Sequence, residues 1–105
     1  MPSVRKIDPA RLRDAAGEAV AALKLLANEE RLLLLCQLSQ GEMCVSDLEE
    51  ELDIHQPTLS QQLGVLRNQG VVATRKEGKN VFYSVADPAL LQVLAVVYRL
   101  YCPKE

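Results

Sequence analysis

Two short helical patterns, joined by a tight connection and followed at once by two β-type runs, constrain this chain more than any other feature. Ser46 and Glu49 have the S-x-x-E spacing of a capping box, which predicts a short helix ending near Leu52. Asp53-Ile54-His55 leaves room only for a turn, and Pro57 falls where a first helical turn tolerates a residue without an N–H. Leu59, Leu63 and Leu66 then recur at i, i+4 and i+7 as a narrow inward stripe, and Gly70 ends the pattern. Val71 to Arg75 and Val81 to Val85 are β-branched and aromatic runs around Lys76 to Asn80, a glycine-containing linker of hairpin type. The order predicts a helix-turn-helix over residues 46–68 and a wing over 71–85.

Helical patterns flank this unit. Leu12, Ala16, Val20, Leu23 and Leu26 repeat at helical spacing over residues 9–27. Asn28 can cap a second helix, with Glu29 and Glu30 in its favourable first turn, Leu32 to Leu38 behind them and Gly41 as a stop. Asp87-Pro88 is a cap followed by proline at the first helical position, opening a last helix over 88–101. The fold class expected is mostly α with a β-hairpin wing: a single winged helix-turn-helix domain over residues 1–105, with extra N- and C-terminal dimerisation helices. The end helices carry more apolar residues than one small core absorbs, which favours a symmetric homodimer reading a palindromic site, its half-sites about one helical turn apart.

Composition narrows the function. Charged residues make up 25% of the 105 and hydrophobic ones 49%, an ordinary globular balance. No apolar run is long enough to span a bilayer and no signal core opens the chain, so a cytoplasmic protein without a membrane partner is expected. With four aromatic residues and no Trp, a stacking platform for single-stranded nucleic acid is not expected. The net charge of −2 hides an asymmetry: Glu42 to Asp53 holds six acids and no base, whereas Gln56 to Asn80 holds four bases against one acid. One positive face is therefore compatible with the acidic total.

With the leucine stripe inward, Thr58, Ser60, Gln61, Gly64 and Asn68 occupy the outer arc of the second helix, with Gln56 at its tip. Amides bond adenine bidentately, and hydroxyls reach bases or phosphates, so Gln56, Thr58, Ser60 and Gln61 are the candidate readers of a double-stranded operator. Arg67, Arg75, Lys76 and Lys79 are the candidate phosphate contacts, Lys79 at the hairpin tip. His55, the one histidine, reads as a helix cap or a phosphate contact, and Glu49, Glu50 and Glu51 as a solvated face. No catalytic residues, cofactor or enzymatic activity are expected, since no His or Gly-rich loop lies near Cys44 or Cys102 to form a catalytic pocket.

Glu29-Glu30-Arg31-Leu32 through Leu38, Val45-Ser46-Asp47-Leu48, Gln56-Pro57-Thr58-Leu59-Ser60-Gln61-Gln62-Leu63 and Gly78-Lys79-Asn80-Val81-Phe82-Tyr83 together resemble the ArsR/SmtB repressors over nearly the whole chain. The resemblance implies a dimeric repressor that leaves its operator when an inducer binds or reacts. The family's thiolate metal motif resembles Cys-Val-Cys-Asp-Leu, but this chain has Cys44-Val45-Ser46-Asp47-Leu48, with serine in place of the second cysteine. The family's other metal site uses Asp and His on the last helix; Asp87 is here without the His. No metal site is therefore expected, and a metal- or arsenical-responsive repressor is the alternative reading.

Three widely spaced cysteines do not form a secreted disulfide framework, so any thiol bonding should be regulatory. Gly41-Glu42-Met43-Cys44 and Tyr101-Cys102-Pro103 resemble the persulfide-sensing BigR, SqrR and HlyU-like subgroup. That closer resemblance implies Cys44 and Cys102 as a redox-sensing dithiol, reactive sulfur species as the inducer and sulfide-detoxification genes as the targets, with a general thiol-oxidation sensor as a further alternative. A helix N-terminus favours the Cys44 thiolate, while Glu42 and Asp47 oppose it. Cys36, at the end of an apolar run, reads as an inert core residue.

Overall fold

The computed structural model describes residues 8–102. Its elements are α1 (Pro9–Leu26), α2 (Glu29–Ser39), β1 (Met43–Cys44), α3 (Val45–Leu52), α4 (Thr58–Asn68), β2 (Val72–Glu77), β3 (Asn80–Val85) and α5 (Pro88–Tyr101). This is a winged helix-turn-helix: α3 and α4 are the two-helix unit, and β2 and β3 are the wing.

Local chemistry explains most boundaries. Asp8 Oδ1 accepts from Ala10 N at 3.0 Å, Asn28 Oδ1 from Arg31 N at 3.1 Å and Asp87 Oδ1 from Ala89 N at 3.0 Å, so α1, α2 and α5 each begin on a side-chain cap. The first and last of these helices also open on proline, whose missing N–H costs nothing there. Asp53 closes α3 in the left-handed region, at φ 55° and ψ 37°, a conformation that Asp tolerates better than most residues. The wing is tighter than its sequence predicts: Glu77 pairs with Asn80, leaving only Gly78 and Lys79 in the turn. Gly78 has φ 62° at the first central position, where a two-residue hairpin turn requires glycine.

A third strand was not expected. Met43 pairs with Tyr83 and Cys44 with Phe82, giving an antiparallel sheet of order β1-β3-β2. That pairing pins the backbone up to Cys44, so α3 starts at Val45, one residue before Ser46. Cys44 is the N-cap, without a side-chain cap bond, and the expected Ser46–Glu49 capping box does not form. The Ser46 hydroxyl instead lies 3.3 Å from the Cys44 thiol.

The core is leucine. Leu34, Leu35, Leu48, Leu59, Leu63, Leu66 and Leu94 are fully buried, with Ile54, from the connecting turn, buried beside them. Leu59, Leu63 and Leu66 face inward as their spacing predicts. Helix α1 behaves otherwise: of its apolar stripe only Leu26 is buried, and Leu12, Val20 and Leu23 are exposed. Helix α5 buries Leu90 and Leu94 but exposes Leu91, Val93, Val96, Tyr98, Leu100 and Tyr101. The radius of gyration is 16.1 Å, against about 13 Å for a compact chain of this length.

Candidate nucleic-acid interface and thiol pair

The connection between α3 and α4 is held by short-range bonds. His55 Nε2 lies 2.7 Å from Asp53 Oδ1, both side chains exposed, so the histidine braces the turn rather than capping α4 with its ring. Its carbonyl accepts from Leu59 N at 3.1 Å. The Gln56 side chain takes the capping role, Oε1 accepting from Ser60 N at 3.1 Å. Pro57 stands just before the helix instead of in its first turn.

Gln56, Ser60 and Gln61 are exposed on one end of α4 and Thr58 is half-buried beside them; Arg67 is exposed in the last turn. Lys79 at the wing tip lines the same open groove as Gln56, a concavity of about 400 Å³ that also takes in Cys44, Ser46 and Asn80. The helix tip and the wing tip therefore flank one hollow. Among the described residues Arg67, Lys76 and Lys79 form no ion pair, whereas Arg75 is fully engaged. Its guanidinium donates to Glu42 (Nε to Oε2, 3.3 Å) and to Glu77 (2.6 Å), and lies 4.7 Å from the centre of the Phe82 ring. The hydrogen bonds to Glu42 and then Glu77 push the already high Arg75 pKa further up, and the same bond to Arg75 pulls Glu42 below the usual carboxylate range. Arg75 thus serves to hold the wing against the loop before β1, and Lys76 and Lys79 are the wing cations left for an anion. The engagement of Arg75 was not legible locally, because Glu42 lies 33 residues away.

The three cysteines are free and unequal. Cys44 is buried under the sheet edge with Ser46 as its polar neighbour. Cys36 is also buried, on α2, and Cys102 is half-buried at the C-cap of α5. Burial pushes the Cys36 thiol up, and the neighbouring Cys102 thiol pushes it further. Cys102 therefore neighbours Cys36, a residue that sequence position alone marks as core, where α5 packs on α2. A leucine-rich helix conceals such a cysteine, since which of its faces meets the end of α5 is a tertiary fact. Among the described residues no group of three or more His, Cys, Asp or Glu side chains gathers to hold a metal, and no helix is long and apolar enough to cross a membrane.

A winged two-helix unit with a polar outer face on its second helix and cations on its wing defines a DNA-binding transcriptional regulator. Residues 28–74 match the family model described as bacterial regulatory protein, arsR family. The chain is 49% identical over 90 residues to the biofilm growth-associated repressor of Agrobacterium fabrum, covering 86% of this chain and 77% of that protein. Its structure is similar to that of the transcriptional repressor BigR from Xylella fastidiosa, with TM-score 0.83 and 39% identity over 93% of this chain and 100% of that one. It is also similar to reduced HlyU from Vibrio cholerae, with TM-score 0.84 and 39% identity over 89% and 98% of the two chains. The protein belongs to the arsR family of transcriptional regulators, and is not an enzyme.

Proposed function

We propose that this protein is a homodimeric repressor, acting in the cytoplasm, that binds a palindromic operator and is released when a reactive sulfur species joins Cys36 to Cys102. The observation that supports the reading is the proximity of these two thiols, one on α2 inside the core and one at the end of α5. The biofilm-associated repressor, BigR and a HlyU described as reduced are the company in which such a pair makes sense. The dimer is supported by the apolar side chains that α1 and α5 leave exposed, which include a groove lined by Leu23, Leu26, Leu32, Val93, Val97 and Tyr101. Gln56, Thr58, Ser60 and Gln61 would read bases in the major groove, and Arg67, Lys76 and Lys79 would position the phosphates, with Arg75 contributing through the wing it holds.

The chemistry balances. The more accessible Cys102 thiolate attacks the outer sulfur of a persulfide RS–SH, expelling RS⁻ and leaving Cys102–S–SH. Cys36 then loses its proton and attacks the inner sulfur, hydrosulfide departs, and a disulfide remains; two protein thiols are oxidised while RSSH is reduced to RSH and H₂S. Each further sulfur in the bridge consumes one more persulfide. The link would tether the end of α5 to α2 and so change how the two α4 helices of a dimer are presented.

Peptide mapping after anaerobic exposure to a persulfide donor tests the assignment. A Cys36–Cys102 link is expected, with Cys36→Ser and Cys102→Ser proteins staying on operator DNA while Cys44→Ser is released like the wild type. A Cys44–Cys102 link, or release of both single variants by persulfide, would overturn it. Peroxide in place of persulfide separates sulfur sensing from general oxidation: a link formed equally well by both favours the latter.

A further inference from the structure

Arg31 stands in the first turn of α2 beside Glu29 and Glu30. A helix N-terminus carries partial positive charge, so a cation is out of place there unless its charge is used elsewhere. The guanidinium turns back to the C-terminal end of α1, where Nε donates to the Leu25 carbonyl at 2.7 Å and a terminal nitrogen donates to the Lys24 carbonyl at 3.3 Å. These are carbonyls of the kind a helix end leaves without intrahelical partners. The other terminal nitrogen donates to Gln62 Oε1 at 3.5 Å, and Gln62 Nε2 donates to Asn28 Oδ1 at 3.4 Å. Asn28 Oδ1 is also the acceptor that caps α2. One half-buried polar bridge therefore joins the end of α1, the start of α2 and the middle of α4.

We infer that Arg31 and Gln62 are positioning residues for operator binding: their bridge sets the roll of α4 relative to α1. The inference rests on the reading of α4 as the recognition helix and goes beyond it, since neither residue belongs to the DNA-reading set. The leucine stripe alone allows rocking, because apolar contact has no direction, whereas the bridge supplies directional bonds at the edge of that stripe, through Gln62. A roll of about 20° moves side-chain tips about 6 Å from a helix axis by about 2 Å, enough to break base contacts that need hydrogen-bond geometry. Phosphate attraction tolerates such a shift.

The test compares two duplexes: one selected by the wild-type chain from a random pool, and one of unselected sequence. Arg31→Met and Gln62→Met should each lose about tenfold on the selected duplex, with unchanged affinity for the unselected one and an unchanged salt slope. The double variant should lose no more than either single variant, because both break one bridge. Gln62→Glu, which keeps an acceptor for Arg31, should retain more affinity than Gln62→Met, and this pair decides the matter if Arg31→Met fails to fold. Equal losses on both duplexes, additive losses in the double variant, or wild-type affinity with only a lowered melting temperature would each overturn the inference. Gln61→Ala is the control: if it leaves selected-duplex affinity intact while the bridge variants lose it, the reading of α4 fails instead.

Discussion

Helices α4 and α5 are both built around leucine, yet they finish in opposite states. In α4 the stripe of Leu59, Leu63 and Leu66 is buried and the outer face is polar. In α5 only Leu90 and Leu94 are buried, and Leu91, Val93, Val96, Tyr98, Leu100 and Tyr101 remain open. The first helix is complete within one chain. The second is apolar nearly all round, and a helix of that kind calls for cover on more than one side. The difference separates the part of the molecule that makes the fold from the part that the proposed dimer would complete.

The largest effect should come from the closed side. Leu63→Ala removes a side chain that is 2% exposed and should cost about 2–5 kcal/mol, read as a lower midpoint in chemical denaturation. Val97→Ala should cost clearly less in the same assay, since it is only half-buried; equal costs would break the comparison. The open side should dominate association instead. Leu23→Glu, on an exposed position lining the groove with α5, should weaken the dimer a hundredfold or more, about 2.7 kcal/mol, in sedimentation, without lowering the monomer's own helix content. A dimer that survives Leu23→Glu would move the interface elsewhere.

Smaller effects concern charge. Lys79→Ala should reduce the salt slope of operator binding by about one, with a similar loss on every duplex. Glu42→Gln should free Arg75 from one of its carboxylates and raise DNA affinity by a few-fold. Because the bond to Arg75 holds the Glu42 carboxyl below its ordinary value, this wing contact stabilises the fold above that ordinary value near 4.5 and is lost as pH falls through the lowered one. The stability gap between wild type and Glu42→Gln should accordingly close in acid. The thiols give the last contrast: at mildly alkaline pH an alkylating reagent should label Cys102 before Cys36, whose ionisation burial and Cys102 both oppose. Cys36 reacting first would reverse the proposed order of attack.

The helix starts at Glu29 and Pro88 were readable because their caps act within three residues. The inward face of α4 was readable because 3.6-residue periodicity is local arithmetic. The start of α3 was misplaced by two residues, with Cys44 at the N-cap in place of Ser46, since the pairing of Met43 and Cys44 with Tyr83 and Phe82 spans 40 and 38 residues. Ile54 looked like turn and proved to be core for a similar reason.

By itself, then, the order of residues determined a winged two-helix unit, its polar reading face and the surplus of apolar surface at both ends. These depend on caps, periodicity and turn chemistry, whose forces act over one or two helical turns. Only the tertiary structure decided that Cys102 comes to neighbour Cys36, that Arg75 is spent on Glu42 and Glu77, and that Arg31 reaches Gln62. Each of those is a contact whose two halves lie on different elements, and nothing in the neighbourhood of either half records where the other will come to rest.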